Sequence, residues 1–155
     1  MIKLAAFDVD GVMTDGSITY DDNGVEYKTF NAKDGHGLAM LKKSGVITAI
    51  ITGRNSGTVT RRAKDVGIEE VHQGVHDKLA VLEELLKKYN LEYAQVAYMG
   101  DDIPDICVLE KVEIAGCPAD AVDEVKELAN FEASKNGGCG AVREFCDCIL
   151  KQNQN

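Results

Sequence analysis

The chain has 155 residues, 45% of them apolar, and a formal charge of −9 from 17 basic and 26 acidic side chains. That is enough apolar material for one buried core and too little for two domains. Such acidity excludes a general binder of nucleic acid or anionic membrane, because phosphate neutralisation needs a basic face. No apolar run reaches the roughly eighteen residues of a membrane span, and residues 1–7 meet Asp8 too soon to form the apolar part of a signal peptide. Cysteines 107, 117, 139, 146 and 148 make an odd, late-clustered set that suits a reducing compartment, so the expected location is the cytoplasm.

Short apolar runs alternate with helical patterns along the chain. Residues 3–7 read as a strand, and Asp8-Val9-Asp10-Gly11-Val12 follows it. Residues 17–30 break the rhythm as a β-hairpin, with Ile18 and Tyr20 on one arm, Val25 and Tyr27 on the other, and Asp22-Asn23-Gly24 predicting a type I′ turn. A two-stranded ribbon is marginal alone, so it packs either on its own domain or against copies of itself. Residues 46–51 form the next strand, ending in Thr52-Gly53-Arg54; then Asn55 or Ser56 caps a helix that Gly67 stops. Residues 70–73 are a strand, and Asp77 caps a helix with the stripe Ala80, Leu82, Leu85, Leu86 and Tyr89. Strands at 95–99, followed by Gly100-Asp101-Asp102, and at 112–115 complete the set. Cys146 and Cys148, two apart on a helix, do not share a face and argue against a metal site there. Strands of nearly continuous apolar residues between helices predict one α/β domain over residues 1–155: a three-layer, Rossmann-like, mostly parallel sheet with an inserted hairpin and no cap domain.

The polar residues of interest stand just after strand ends, where open α/β sheets bind ligands. Asp8 and Asp10, two apart in extended chain, point the same way and with Asp101 and Asp102 make a cluster of like charges that a cation would relieve. Oxygen ligands without His or Cys favour Mg²⁺. An EF-hand is excluded, since Gly11 stands one residue past the second acid and no Glu closes the loop. A solvated acidic loop accounts for any one of these segments but not for their convergence. Lys78 falls in a first helical turn, disfavoured by about 0.3–1 kcal/mol unless an anion lies nearby or its stem reaches water. Thr52 can offer a hydroxyl and a backbone N–H to a phosphate oxygen, or simply cap the next helix.

Assembled, these parts read as phosphoryl transfer. Asp8 is the nucleophile on phosphorus, and Asp10 the acid and later the base. Thr52 and Lys78 hold the equatorial oxygens; Asp8, Asp10 and Asp101 ligate Mg²⁺, and Asp102 orients that ligation. A phospho-accepting signalling module is the alternative class, but receiver domains carry the phosphorylated Asp after the third strand.

Asp8-Val9-Asp10-Gly11-Val12-Met13-Thr14-Asp15, Ile51-Thr52-Gly53-Arg54, Lys78 and Gly100-Asp101-Asp102 resemble the four motifs of the haloacid dehalogenase superfamily of phosphatases. Phe30-Asn31-Ala32-Lys33-Asp34-Gly35, Gln73-Gly74, Val96-Ala97-Tyr98 and the segment from Gly137 to Glu144 resemble its capless branch of 3-deoxy-D-manno-octulosonate 8-phosphate phosphatases, over residues 3 to about 150. The resemblance implies Mg²⁺-dependent hydrolysis of a sugar acid phosphate in lipopolysaccharide precursor synthesis. It also implies a homotetramer whose hairpins form a central barrel and whose subunits help close one another's sites. Arg54 is then the expected contact to the sugar acid, with Lys33 and Arg143 as further substrate-binding candidates. Relatives acting on nine-carbon (KDN or sialate) 9-phosphates can carry an acidic residue where Arg54 stands, which favours the eight-carbon substrate. Cys139 occupies a position where Arg is usual and Lys33 one where Arg is common, and Lys does not reproduce bidentate carboxylate binding. His36, His72 and His76 receive no role; Asp105, one turn behind Asp101, is a candidate to support it from behind.

Overall fold

Along β1 (Leu4–Phe7) side chains alternate between two cores: Ala5 and Phe7 enter one, Leu4 and Ala6 the other. A strand covered on both faces must be apolar at every position, and this one is fully buried. The computed structural model, which describes residues 1–155, extends this into a six-stranded parallel sheet. Its strands are β1, β4 (Ile47–Ile51), β5 (Glu70–His72), β6 (Val96–Met99), β7 (Ile114–Cys117) and β8 (Phe131–Glu132), in the order β5-β4-β1-β6-β7-β8. Helices α1 (Ala32–Lys43), α2 (Gly57–Val66) and α6 (Ala141–Gln154) pack on one face, and α3 (Lys78–Tyr89), α4 (Ile106–Leu109) and α5 (Asp123–Leu128) on the other. From β1 the chain runs outward to β4 and β5, then returns to β6 on the other side of β1. The switch in direction therefore opens its crevice above β1, at the carboxyl ends of β4, β1 and β6.

Local chemistry sets the helix ends. Ser56 Oγ accepts from Thr58 N–H at the start of α2, and Gly67 ends it at φ 76°, in the left-handed region. Asp77 caps α3 through Ala80 N–H. No helix is long and apolar enough to cross a membrane.

The ribbon β2 (Thr19–Tyr20) and β3 (Glu26–Tyr27) stands apart from the sheet. Its turn differs from the expected type I′. Gly24 N–H donates to Asp21 O at 3.0 Å, Gly24 alone of the turn residues has positive φ (76°), and Asp21 N–H donates to Val25 O at 3.0 Å. This is a type I turn followed by a left-handed Gly bulge, a longer loop than Asn-Gly alone would dictate. Asp21 Oδ1 accepts from Asn23 and Val25 N–H and stabilises it.

Candidate active site

Asp8 emerges from β1 with its N–H on Met99 O (3.0 Å), which fixes it between β1 and β6. Its Oδ1 accepts from Val9 N–H at 2.7 Å, and its Oδ2 lies 2.8 Å from Lys78 Nζ. Lys78, the first residue of α3, is buried, and its ammonium also donates to Asp105 Oδ1 at 2.7 Å. A cation misplaced for the helix dipole thus has two anions beside it. Burial would lower the Lys78 ammonium, but Asp105 and Asp8 outweigh burial and hold it raised.

Asp105 is 0% exposed and saturated with donors. Beyond Lys78, its Oδ1 accepts from Tyr98 OH (2.5 Å), and its Oδ2 from the N–H groups of Asp101 (2.9 Å) and Asp102 (3.2 Å). It braces the turn that carries Asp101 as well as the lysine. Its spacing of four from Asp101 is the one sign of this role in the sequence.

Asp101 leans over the first loop so closely that a Cβ on Gly11, at φ 85°, would lie 1.9 Å from Asp101 Oδ2. Carboxylate oxygens of Asp8, Asp101 and Asp105 come within 4.8 Å of one another. Burial, then Asp105, pushes the Asp8 carboxyl up to about 6 despite Lys78. Burial, then Asp8, Asp105 and Asp102, pushes Asp101 up to about 8. Asp101 Oδ1 is buried without a hydrogen-bond partner. An orphaned oxygen among crowded carboxylates is what a hard divalent cation satisfies, and an all-oxygen donor set fits Mg²⁺. Asp105 is wholly buried and does not line the cleft, whereas Asp8 and Asp101 do, so these two are the side chains that could hold the ion.

Asp10 is placed differently from the expectation. Its carboxylate turns out of this cluster onto Lys28 Nζ, 2.5 Å away, with Arg54 Nε 3.9 Å from its other oxygen. Its carbonyl accepts no main-chain hydrogen bond, so that oxygen is its free route to a metal. Asp102 is exposed and caps the following turn through Ile103 N–H. The Thr52 hydroxyl borders the cleft, but its N–H is spent on His72 O at 3.0 Å. The N–H of Gly53, one residue on, makes no main-chain bond.

Asp8, Asp10, Thr52, Arg54, Lys78 and Asp101 line one open cleft of about 430 Å³, which His76 also borders. Arg54 Nη2 donates to Tyr20 OH (3.0 Å) and Glu26 Oε2 (2.9 Å) on the ribbon. Lys33 and Arg143 do not line the cleft: Lys33 is exposed on α1, and Arg143 pairs with Asp147 one turn along α6 at 3.1 Å. Lys28 was missed because nothing local distinguishes it from any lysine beside a strand.

The family described as haloacid dehalogenase-like hydrolase matches residues 67–145. The 3-deoxy-D-manno-octulosonate 8-phosphate phosphatase KdsC of Yersinia pestis is 43% identical over 149 residues, covering 96% of this chain and 80% of that protein. Among solved structures, the enzyme of that name from Moraxella catarrhalis, in complex with magnesium, phosphate and KDO, matches at TM-score 0.95 and 45% identity over 97% of this chain and 86% of its own. The cobalt-bound deoxy-D-mannose-octulosonate 8-phosphate phosphatase from Haemophilus influenzae matches at TM-score 0.92 and 37% identity, over 97% and 88%. A receiver-type signalling module is thereby set aside. With its acidic cluster at the sheet's switch point and no second domain over the cleft, the chain belongs to the haloacid dehalogenase-like hydrolases and is a phosphate monoester hydrolase of their capless kind.

Proposed function

We propose that the chain hydrolyses 3-deoxy-D-manno-octulosonate 8-phosphate to the free sugar acid and phosphate. It does so with Mg²⁺, in the cytoplasm, as a step in lipopolysaccharide precursor synthesis. The observation that carries the chemistry is the buried Asp8–Lys78 pair facing the orphaned oxygen of Asp101. The substrate rests on relatives of that name, similar over nearly the whole chain, and on Arg54 at the cleft.

Asp8 attacks phosphorus, so an aspartyl–phosphate bond forms as the bond to the sugar C8 oxygen breaks. Asp10 gives its proton to the departing oxygen, then takes one from the water that hydrolyses the aspartyl-phosphate. Lys78, the Thr52 hydroxyl and the Gly53 N–H hold the non-bridging oxygens. Asp8, Asp101 and the Asp10 carbonyl would hold Mg²⁺, which when bound would supply positive charge against that of the transferring group. Arg54 spends Nη2 on the ribbon, which leaves its remaining guanidinium N–H groups for the sugar-acid carboxylate. Ile18, Tyr20, Val25 and Tyr27 on the ribbon are 49–56% exposed, an apolar surface that supports a homotetramer built through the ribbons. In that assembly Lys33 and Arg143 serve a neighbour's cleft.

A screen of sugar acid phosphates with Mg²⁺ tests this. The eight-carbon 8-phosphate should give the highest kcat/KM. Equal values for nine-carbon 9-phosphates would remove the substrate preference, and no turnover of any sugar acid phosphate would sink the proposal.

A further inference from the structure

A ring of charges joins the ribbon to the cleft. Lys28 follows β3 directly, and its side chain is 1% exposed. The ammonium meets Asp10 Oδ1 at 2.5 Å and Glu26 Oε1 at 2.7 Å. Glu26 Oε2 accepts from Arg54 Nη2 at 2.9 Å, and Arg54 Nε returns to within 3.9 Å of Asp10 Oδ2. Lysine is almost never buried so deeply unless paired. The ribbon does not need this pair for its own register, which ends at Thr19–Tyr27 and Tyr20–Glu26. Nor does Lys28 border the cleft, so it lies behind Asp10 instead of facing substrate. The hydrogen bond to Lys28 is the only one that the Asp10 side chain makes.

We propose that Lys28 is a positioning residue for catalysis: by occupying Asp10 Oδ1 it assigns proton transfer to Oδ2 and ties the acid's orientation to the ribbon. The role rests on reading Asp10 as the acid and base. A neutral Asp10 keeps Oδ1 as acceptor for Lys28 while its Oδ2–H points at the departing oxygen. When the phosphorus–oxygen bond breaks, its electron pair stays on the sugar oxygen and takes the Oδ2 proton, leaving Asp10 ionised against Lys28. In the second step the attacking water returns a proton to the same Oδ2 as the aspartyl–phosphate bond breaks. Glu26 holds the Lys28 ammonium and the Arg54 guanidinium with one carboxylate, so the acid and the substrate-binding arm move together with the ribbon.

The test is the ratio of kcat/KM for the sugar acid phosphate to kcat/KM for p-nitrophenyl phosphate, on the full chain with Mg²⁺. The nitrophenolate leaves with little help from an acid, whereas the sugar alkoxide needs one. Misfolded protein lowers both values alike and cancels in the ratio. General acid catalysis is typically worth about 10²–10⁴-fold, and Lys28→Met should forfeit part of it, lowering the ratio about tenfold or more. Lys28→Arg should restore part of the loss. Asp10→Asn is the control for the underlying reading. If it lowers the ratio while Lys28→Met leaves it within about twofold of wild type, Lys28 has no positioning role and the role of Asp10 stands. If Asp10→Asn leaves the ratio unchanged, the acid reading itself fails and Lys28 falls with it. Should Lys28→Met yield no folded protein, Glu26→Gln, which keeps the ammonium but loosens its seat, must lower the ratio of kcat values for the two phosphates at saturation, where loosening of Arg54 falls on KM, and an unchanged value overturns the role.

Discussion

Replacing Asp105 with Asn retains the shape of a wholly buried side chain and puts an NH₂ where an oxygen stood. In the native site one oxygen takes Lys78 and Tyr98 OH, at 2.7 and 2.5 Å, and the other takes the N–H groups of Asp101 and Asp102, at 2.9 and 3.2 Å. Both oxygens face donors. Whichever way the amide turns, its NH₂ therefore meets donors: either the ammonium is left with Asp8 alone, or two main-chain N–H groups lose their acceptor. Removing one partner of a buried ion pair costs about 3–5 kcal/mol. The whole domain has only about 5–15 kcal/mol to lose. At about 2–4 °C per kcal/mol for a chain of this size, Asp105→Asn should melt roughly 6–20 °C below wild type by circular dichroism. Adding Lys78→Met should cost less than the sum of the single changes, since the two residues share a bond. A melting temperature within about 2 °C of wild type would show that Asp105 carries neither Lys78 nor the Asp101 turn.

Asp8→Asn should abolish turnover and leave the fold intact by circular dichroism; retained turnover would exclude Asp8 as the nucleophile. Asp101 and Asp8 are pushed up to about 8 and about 6 from an ordinary value of 3.8, so without a cation the folded chain binds more protons than the unfolded one, and its stability falls as pH rises through that window. Mg²⁺ relieves the ionised carboxylates, so the gain in melting temperature from Mg²⁺ over EDTA should be larger at pH about 8.5 than at about 5; equal gains would contradict the repulsion argued from their burial. EDTA should also stop turnover, with recovery on adding Mg²⁺. Light scattering should give the mass of a tetramer, and Tyr20→Lys with Tyr27→Lys should reduce it, whereas a monomeric mass for the wild type would refute assembly through the ribbons.

The sheet was legible because a strand buried on both faces leaves an apolar run, unbroken in β1 and β6 and interrupted only by Thr48 in β4. Ser56, Gly67 and Asp77 were legible because capping is local chemistry. Helix α1 carried little periodic signal, since glycines replace part of its stripe. A Cβ on Gly37 would come within 3.1 Å of Arg143 Cδ and Cys146 Cβ, so the close approach of α6 erases the pattern by which a helix is recognised. Strand β8 has two residues, too few to show a period, and β7 runs from Ile114 to Cys117, with the buried Val112 lying ahead of it.

The site divided along the same line between local and distant information. Asp8, Thr52 and Asp101 could be read from their places after strands, but the partner of Lys78 lies 27 residues away and the partner of Lys28 lies 18 away, pairings that only packing reveals. The charges explain why the two aspartates of the first loop part company. Asp8, Asp101 and Asp105 against Lys78 sum to −2, which one Mg²⁺ cancels, whereas Asp10, Lys28, Glu26 and Arg54 sum to zero within their own ring. A carboxylate already neutralised by its neighbours has little electrostatic reason to join the metal, and Lys28 holds it apart from the ion. On the proposed mechanism, one loop supplies a nucleophile and an acid two residues apart, each matched to a different buried lysine.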